Sequence, residues 1–264
     1  MAPTAQSPLM EVEGVTVRFG GLAALSDVGL SIAPRSVTGL IGPNGAGKTT
    51  LFNVLTGVVR PQSGTVRFKG RQLRGHRQHH LAGMGISRTF QGLNLFGYMS
   101  VLDNVIVGAD PLGRSRLPEM LTGLGRYQRD ERELTDRAMS VLEEFGIADV
   151  AHALPATLPY GLQKRVALAR ALVSEPELLL LDEPASGLSG ADMADLAATI
   201  RRCSRTMGVM LVEHHMDLVM DVCDHIVVLN FGQVICAGPP STVQADPAVA
   251  EAYLGTPVQE AAGD

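Results

Sequence analysis

Gly42-Pro43-Asn44-Gly45-Ala46-Gly47-Lys48-Thr49 is the stretch on which the reading of this chain turns. It fits the pattern Gly-x-x-x-x-Gly-Lys-Ser/Thr in full, and its flanks fit as well. Before it, Ser36 to Ile41 reads as a strand more continuously apolar than those ahead of it, as a buried strand should be. After it, Thr50 to Thr56 reads as a helix that Gly57 ends. Glycines let the backbone curl so that successive N–H groups point inward at phosphate oxygens, and the following helix adds its positive end. The pattern therefore predicts a P-loop in which Lys48 reaches the β- and γ-phosphates of a nucleotide and the Thr49 hydroxyl goes to Mg²⁺.

A second anchor lies far downstream. Leu178-Leu-Leu-Leu-Asp182-Glu183 is an apolar strand that ends in two acids. An acid buried beside such a strand is costly unless something pairs with it. A magnesium ion would do so at Asp182, and Glu183, one residue on, is placed to polarise a water for in-line attack on the γ-phosphate. Four further places narrow the type. Gln91, in Arg88-Thr-Phe-Gln91, is a candidate contact to Mg²⁺ or the attacking water, or else a surface amide. Leu158-Pro159-Tyr160-Gly161-Leu162-Gln163 opens a helix ahead of the acidic strand. His214, in Val212-Glu-His214, ends the strand after it, or else is a satisfied core histidine. Phe19 is a candidate platform for adenine, or else a core aromatic.

Around these anchors the chain alternates. Met10 to Arg18 has the period of a half-buried strand, Val28 to Ile32 is a second, and Thr65 to Lys69 follows the turn Pro61–Gly64. From Ser100 to Leu154 the pattern becomes helical, with Leu134, Ala138, Val141, Leu142 and Phe145 on one face of a helix over Arg129 to Phe145 and Glu133–Arg137 as an i,i+4 pair. Prolines and glycines make 110–128 partly loop. The α/β alternation then resumes with helices over Leu162–Ser174 and Ala191–Met207 and strands over Leu178–Asp182, Val209–Glu213 and His225–Leu229. That pattern implies a parallel sheet covered by helices.

Bulk properties bound the partners. With 22 Lys+Arg against 27 Asp+Glu the net charge is −5, which disfavours broad binding to nucleic acid or anionic lipid. Hydrophobic residues make up 45 %, yet no run approaches the roughly 18 apolar residues a membrane helix needs. Met1 to Pro8 lacks the basic and apolar regions of a signal peptide, so the chain is expected to stay in the cytosol and to reach a membrane only through partners. Cys203, Cys223 and Cys236 are spaced as small core residues rather than ligands. His76, His79 and His80 read as a solvated, polar helix start.

From about residue 9 to 255 the chain resembles an ABC-transporter nucleotide-binding subunit. More narrowly, it is similar to the first ATPase of branched-chain amino acid importers. Arg18-Phe-Gly-Gly-Leu22, Arg88 to Phe96, Leu158-Pro-Tyr-Gly161, Glu213-His-His-Met-Asp-Leu-Val-Met220 and Ala252-Tyr-Leu-Gly255 carry that narrower match. The resemblance implies an α/β P-loop core of the ABC ATPase type, with a small antiparallel β layer and an inserted helical sub-domain. It divides the chain into 9–92 and 158–256 as catalytic core and 93–157 as helical sub-domain, with loose ends at 1–8 and 257–264.

It also implies the chemistry. Phe19 would stack on adenine of ATP. Gly42, Pro43, Asn44, Gly45, Ala46, Gly47, Lys48, Thr49 and Thr50 would hold phosphates. Thr49, Gln91 and Asp182 would bind Mg²⁺, and Gln91 would sense the γ-phosphate and touch a membrane subunit. Glu183 would be the catalytic base and His214 would stabilise the γ-phosphate. Leu158 to Gln163 would contact the ATP of a partner chain in a head-to-tail pair, either with itself or with a second ABC ATPase. Two integral permease subunits and, indirectly, an extracytoplasmic solute-binding protein complete the expected partners, at the cytoplasmic face of the membrane and with no nucleic acid.

The transported solute would be a branched-chain amino acid or a related small polar solute such as urea or an amide. Two positions depart from the family pattern: Pro159 and Tyr160 stand where the signature has serine and glycine, and Ser189 follows Leu188 where an acid is usual. Rival readings are a soluble ABC ATPase acting on ribosomes or DNA and a small-molecule kinase. Against the first stand the single nucleotide domain and acidic charge; against the second, the signature helix and His214.

Overall fold

The computed structural model describes residues 7–73, 75–89, 92–109 and 126–254. In chain order the elements are β1 (Met10–Phe19), β2 (Leu22–Ile32), β3 (Val37–Ile41), α1 (Lys48–Leu55), β4 (Ser63–Phe68), β5 (Arg71–Gln72), β6 (Ile86–Arg88), α2 (Val101–Gly108) and α3 (Arg126–Glu144). They continue with α4 (Tyr160–Leu172), β7 (Leu178–Asp182), α5 (Gly190–Cys203), β8 (Gly208–Val212), α6 (Met216–Val222), β9 (His225–Asn230), β10 (Gln233–Gly238), α7 (Pro240–Ala245) and α8 (Pro247–Leu254). The chain falls into two compact units, one of Met1–Gln78 with Ala197–Asp264 and one of His79–Leu196.

In the first unit β1 lies between β2 and β4 in an antiparallel sheet that β5 extends. Val12, Val15 and Val17 face inward and alternate with wetter neighbours, as a half-buried strand requires. The register runs from Met10 opposite Ile32 to Phe19 opposite Leu22, so β2 starts well before the expected Val28. The pairing of Leu22, Ala23 and Leu25 with β1 extends a strand that residue preferences alone would not. The same unit holds β3 between β8 and β9, both parallel to it, and a β9–β10 hairpin. Every residue of β3 and β8 is buried, Thr38 among them, as strands covered on both faces require. The carboxyl ends of these two neighbours carry the P-loop and Glu213–His214. Helices α7 and α8 pack on β10.

In the second unit β6 and β7 pair in parallel, Ile86 opposite Leu178 and Arg88 opposite Leu180. Helices α2, α3 and α4 pack on one another. Helix α3 turns Ala138 and Leu142 inward, and Phe145 just beyond its end is buried as well, all three on the face its period predicts. Arg137 does not serve the expected pair with Glu133; it reaches Glu175 and donates Nε–H to Val173 O at 2.8 Å. Ser100 and Asp103 form a reciprocal cap on α2. Asn104, fully buried, accepts from Phe96 N–H at 2.8 Å and donates to Phe96 O, Met99 O and Ser100 O. One amide thus fixes the loop ahead of its own helix.

Several boundaries differ from the sequence expectation. Helix α1 begins at Lys48, α4 runs from Tyr160 to Leu172 rather than Leu162 to Ser174, and α5 stops at Cys203, where the Thr206 and Met207 N–H groups fold back to Cys203 O. His76 does not belong to a helix start: it lodges against Gly57 with Nε2 3.3 Å from Leu55 O. Gln91, the loop expected over 110–128 up to its helical end, and the terminal stretches 1–6 and 255–264 lie outside the described residues. Among the described residues no helix is long and apolar enough to cross a membrane.

Candidate nucleotide site

The P-loop leaves β3 through Gly42, at φ +149°, where an added Cβ would sit 2.1 Å from Leu229 O. Only a residue without a side chain can pass there. Gly47, at φ +103°, is as constrained: a Cβ would meet Ala24 O at 2.7 Å and Leu25 Cδ2 at 2.9 Å. It caps α1 with no side chain of its own, and the first turn carries no acid. A helix N-terminus with no acidic side chain over it suits an anion. Lys48 Nζ donates to Gly42 O at 2.6 Å and Pro43 O at 3.0 Å, which folds its ammonium into the loop. Thr49 is exposed beside it and Thr50 half-buried.

Phe19 ends β1 as a residue 54 % exposed, so it is not a core aromatic. Its turn leads into the part of β2 whose Ala24 and Leu25 press on Gly47. His214 follows β8 and is exposed, so it is no core histidine.

The second unit holds the acids. Asp182 ends β7 almost wholly buried, and burial pushes its carboxyl up from the ordinary carboxylate range. The Arg88 guanidinium, 3.7 Å away, pulls it back down, and the adjoining Glu183 raises it further. Glu183 itself takes φ +48°, a left-handed conformation rare for a side chain of its size. Such backbone strain costs about 1–3 kcal/mol and collects at functional sites.

The signature stretch meets the loop that follows the acids. Tyr160 O–H lies 3.4 Å from Ser186 O, its ring covers Gly187, and Lys164 Nζ donates to Pro184 O at 3.0 Å. Pro159 stands at the N-cap of α4 with φ −54° and ψ 149°, and Gln163 reaches back to Leu158 O at 2.9 Å. Gly161 packs on Asp192, whose Oδ1 would lie 2.7 Å from an added Cβ. Ser189, the departure after Leu188, caps α5: its Oγ accepts from Asp192 N–H at 3.4 Å and donates to Asp192 Oδ2 at 2.6 Å.

Sequence reasoning gave no role to Arg88, Asn104, Glu213 or Asp192. Only Glu213 left a trace, as an acid closing the apolar run Val209–Val212. Lys48, Thr49, Phe19 and His214 belong to the first unit; Asp182, Glu183 and Leu158 to Gln163 belong to the second.

A buried strand feeding a glycine loop and a helix, with paired acids closing a second buried strand, defines a nucleotide-hydrolysing P-loop protein. The ABC transporter family model matches residues 25–186, and the model for the branched-chain amino acid ATP-binding cassette transporter matches 233–259. The chain is 41 % identical over 253 residues to the high-affinity branched-chain amino acid transport ATP-binding protein BraF of Pseudomonas aeruginosa, spanning 94 % of this chain and 98 % of that one. It is 40 % identical over 251 residues to LivG of Escherichia coli K12, with the same coverage. Among solved structures, the ADP conformation of MJ1267, an ATP-binding cassette of an ABC transporter, superposes with a TM-score of 0.83 at 30 % identity over 95 % of this chain and all of that one. The chain belongs to the ABC transporter family, and it is an ATPase of the ATP-binding-cassette type.

Proposed function

We propose that this subunit drives uptake of branched-chain amino acids through partner permeases at the cytoplasmic face of the membrane, acting as one nucleotide-binding domain. The P-loop carries the nucleotide part of the reading, with two glycine positions that tolerate no Cβ and a lysine folded into the cradle; the similarity to BraF and LivG supports the solute class.

In this reading the P-loop amides from Gly42 to Thr50 and Lys48 hold the phosphates, and Phe19 carries adenine. Thr49 and Asp182 would supply the oxygen donors that Mg²⁺, a hard cation, prefers. Asp182 is buried with the Arg88 guanidinium 3.7 Å away, and a dication would favour the ionised form that burial opposes. Bound Mg²⁺ would neutralise phosphate charge. Glu183 takes the proton of the attacking water as its oxygen bonds to the γ-phosphorus and ADP leaves, and His214 donates to the γ-phosphate. Gln91 joins them as a γ-phosphate sensor.

Two cassettes then pair head to tail, this chain with a second ATPase, so that the α4 end of one faces the ATP of the other. ATP favours the closed pair, and hydrolysis releases it. Lys48→Ala is expected to lower ATP hydrolysis by at least about 10²-fold, because it removes the preorganised charge on the phosphates. Steady-state ATPase of the purified variant checks this, and a wild-type rate overturns the P-loop reading. Uptake of labelled leucine and of labelled urea by a deletion strain carrying this chain tests the substrate.

The permease is proposed to dock on the loop ahead of α2. Tyr98 is 83 % exposed there and Phe96 38 %, with the Arg170 guanidinium 6.0 Å from the Phe96 ring. Arg170 also donates to Asn94 O at 2.7 Å and Leu93 O at 3.1 Å. With Asn104 it holds this aromatic pair on a fixed backbone, as an interface anchor needs. Phe96→Glu and Tyr98→Glu are each expected to cut uptake about ten-fold or more, the loss typical of an anchor residue, with basal ATPase unchanged. Normal uptake in both removes the docking role.

A further inference from the structure

Val209 to Val212 of β8 are wholly buried, and so is the acid that follows them: Glu213 has no exposed surface. A carboxylate withdrawn from water is costly unless hydrogen bonds replace its hydration. Its Oε2 receives three. The backbone N–H of His214 donates at 2.9 Å, that of His215 at 3.1 Å, and His215 Nδ1 lies at 2.9 Å. An ionised carboxylate only accepts, so Nδ1 of His215 carries the proton of that bond.

These bonds fix one turn from both sides. On the strand side the Glu213 N–H reaches Leu40 O at 3.4 Å, in β3 just ahead of Gly42. On the helix side His215 begins α6, and its carbonyl accepts from Val219 N–H at 3.1 Å. His214 is held between them with its ring outward. Its side chain is 53 % exposed, and its Nδ1 is 3.7 Å from Glu213 Oε2, beyond hydrogen-bond reach. The two imidazoles lie 4.3 Å apart at 37°.

Glu213, His214 and His215 also place three metal-ligating atoms within 4.8 Å of one another. The oxygen that both rings face is already saturated by N–H donors, and a cation would have to displace them. Removing the acid would strand these N–H donors and cost stability, so turnover per folded molecule is the readout that reports on placement.

We propose that Glu213, with His215, is the positioning group for His214: the buried carboxylate gathers three N–H groups so that the His214 backbone, from which the ring projects, is held in one place. This rests on the reading of His214 as the γ-phosphate contact. The bond to Oε2 orients the backbone of His214, not its ring nitrogens, so the effect acts through placement. Displacing a catalytic contact by about 1 Å costs on the order of 10²-fold.

The test compares Glu213→Met, Glu213→Gln and His214→Ala in the assembled transporter, by ATPase rate against ATP concentration and by thermal unfolding. Met keeps volume but accepts nothing, whereas the Gln carbonyl accepts the same N–H groups. Glu213→Met is expected to lower kcat about 10- to 10²-fold with KM for ATP held, and to lower Tm because the N–H donors lose their acceptor. Glu213→Gln is expected to restore kcat to within about five-fold, the worth of one weakened hydrogen bond. If His214→Ala loses turnover and Glu213→Met does not, the positioning role is overturned while the His214 reading stands. Normal turnover in His214→Ala removes both. If the kcat loss in Met is no more than its loss of folded protein and Gln fails to rescue, the acid is merely structural. Should Glu213→Met not fold, His215→Phe carries the test: loss of the ring donor is expected to lower kcat about five-fold at constant KM, and an unchanged kcat overturns the proposal.

Discussion

Glu183→Gln is expected to bind ATP as the parent does and to turn it over about 10²–10⁴-fold more slowly, the range for loss of general-base help. The exchange preserves shape and removes only the proton acceptor. Shape matters here because Glu183 sits at φ +48°, in a turn closed by Ser186 N–H on its carbonyl at 3.2 Å. An amide side chain fits that turn as well as a carboxylate does. It also lifts one negative charge from beside Asp182, whose carboxyl is raised first by burial and further by Glu183. Asp182 is therefore easier to ionise in the variant, which preserves or improves Mg²⁺ binding. The result should be a cassette stalled with ATP. Labelled-ATP binding, steady-state turnover and sedimentation with Mg-ATP measure the three parts. A parental rate removes Glu183 as the base. Monomers alone, for the chain by itself and mixed with a second ATPase, count against the closed pair.

What the sequence revealed, and what it hid, follows from the range of the forces involved. The P-loop and the acidic strand were legible because each is local. Glycines at positive φ, a lysine and a helix start are written within eight residues, and a strand buried on both faces shows as an apolar run. The partners of these groups were not local. Arg88 meets Asp182 only because β6 pairs with β7, and Arg137 turns to Glu175 instead of its helical neighbour Glu133.

Short elements escaped for another reason. Helices α6, α7 and α8 span seven, six and eight residues, too few for a 3.6-residue period to declare itself in a window of about 11–18. The helix expected from Leu162 begins two residues earlier. Pro159 at the N-cap in fact starts the helix at Tyr160 and makes Gly161 part of its first turn. Asn104 and Glu213, polar side chains in apolar runs, look like faults until their hydrogen bonds are seen.

That first turn of α4 sets up an asymmetric pair of substitutions. Pro159→Ser is expected to change ATPase activity only a few-fold. Pro159 occupies the N-cap, where it offers neither hydroxyl nor N–H, so the helix already presents its backbone donors without it. A serine there adds a cap of about 0.5–2 kcal/mol to α4, and its hydroxyl is an extra donor rather than a replacement. Gly161→Asp is expected to reduce activity nearly to nothing. A Cβ at Gly161 would lie 2.7 Å from Asp192 Oδ1 and 3.0 Å from Oδ2. Asp192 has little room to yield, since Ser189 Oγ holds its other contact at 2.6 Å. The new carboxylate would also face an existing one and place negative charge where the partner's phosphate is read. Like charges at such range disfavour the ionised pair and distort the turn. Steady-state ATPase of the assembled transporter measures the loss. ATP binding by the isolated chain separates it from misfolding, because the P-loop lies in the other unit and should still bind. Parental turnover in Gly161→Asp removes the signature assignment and the head-to-tail arrangement with it.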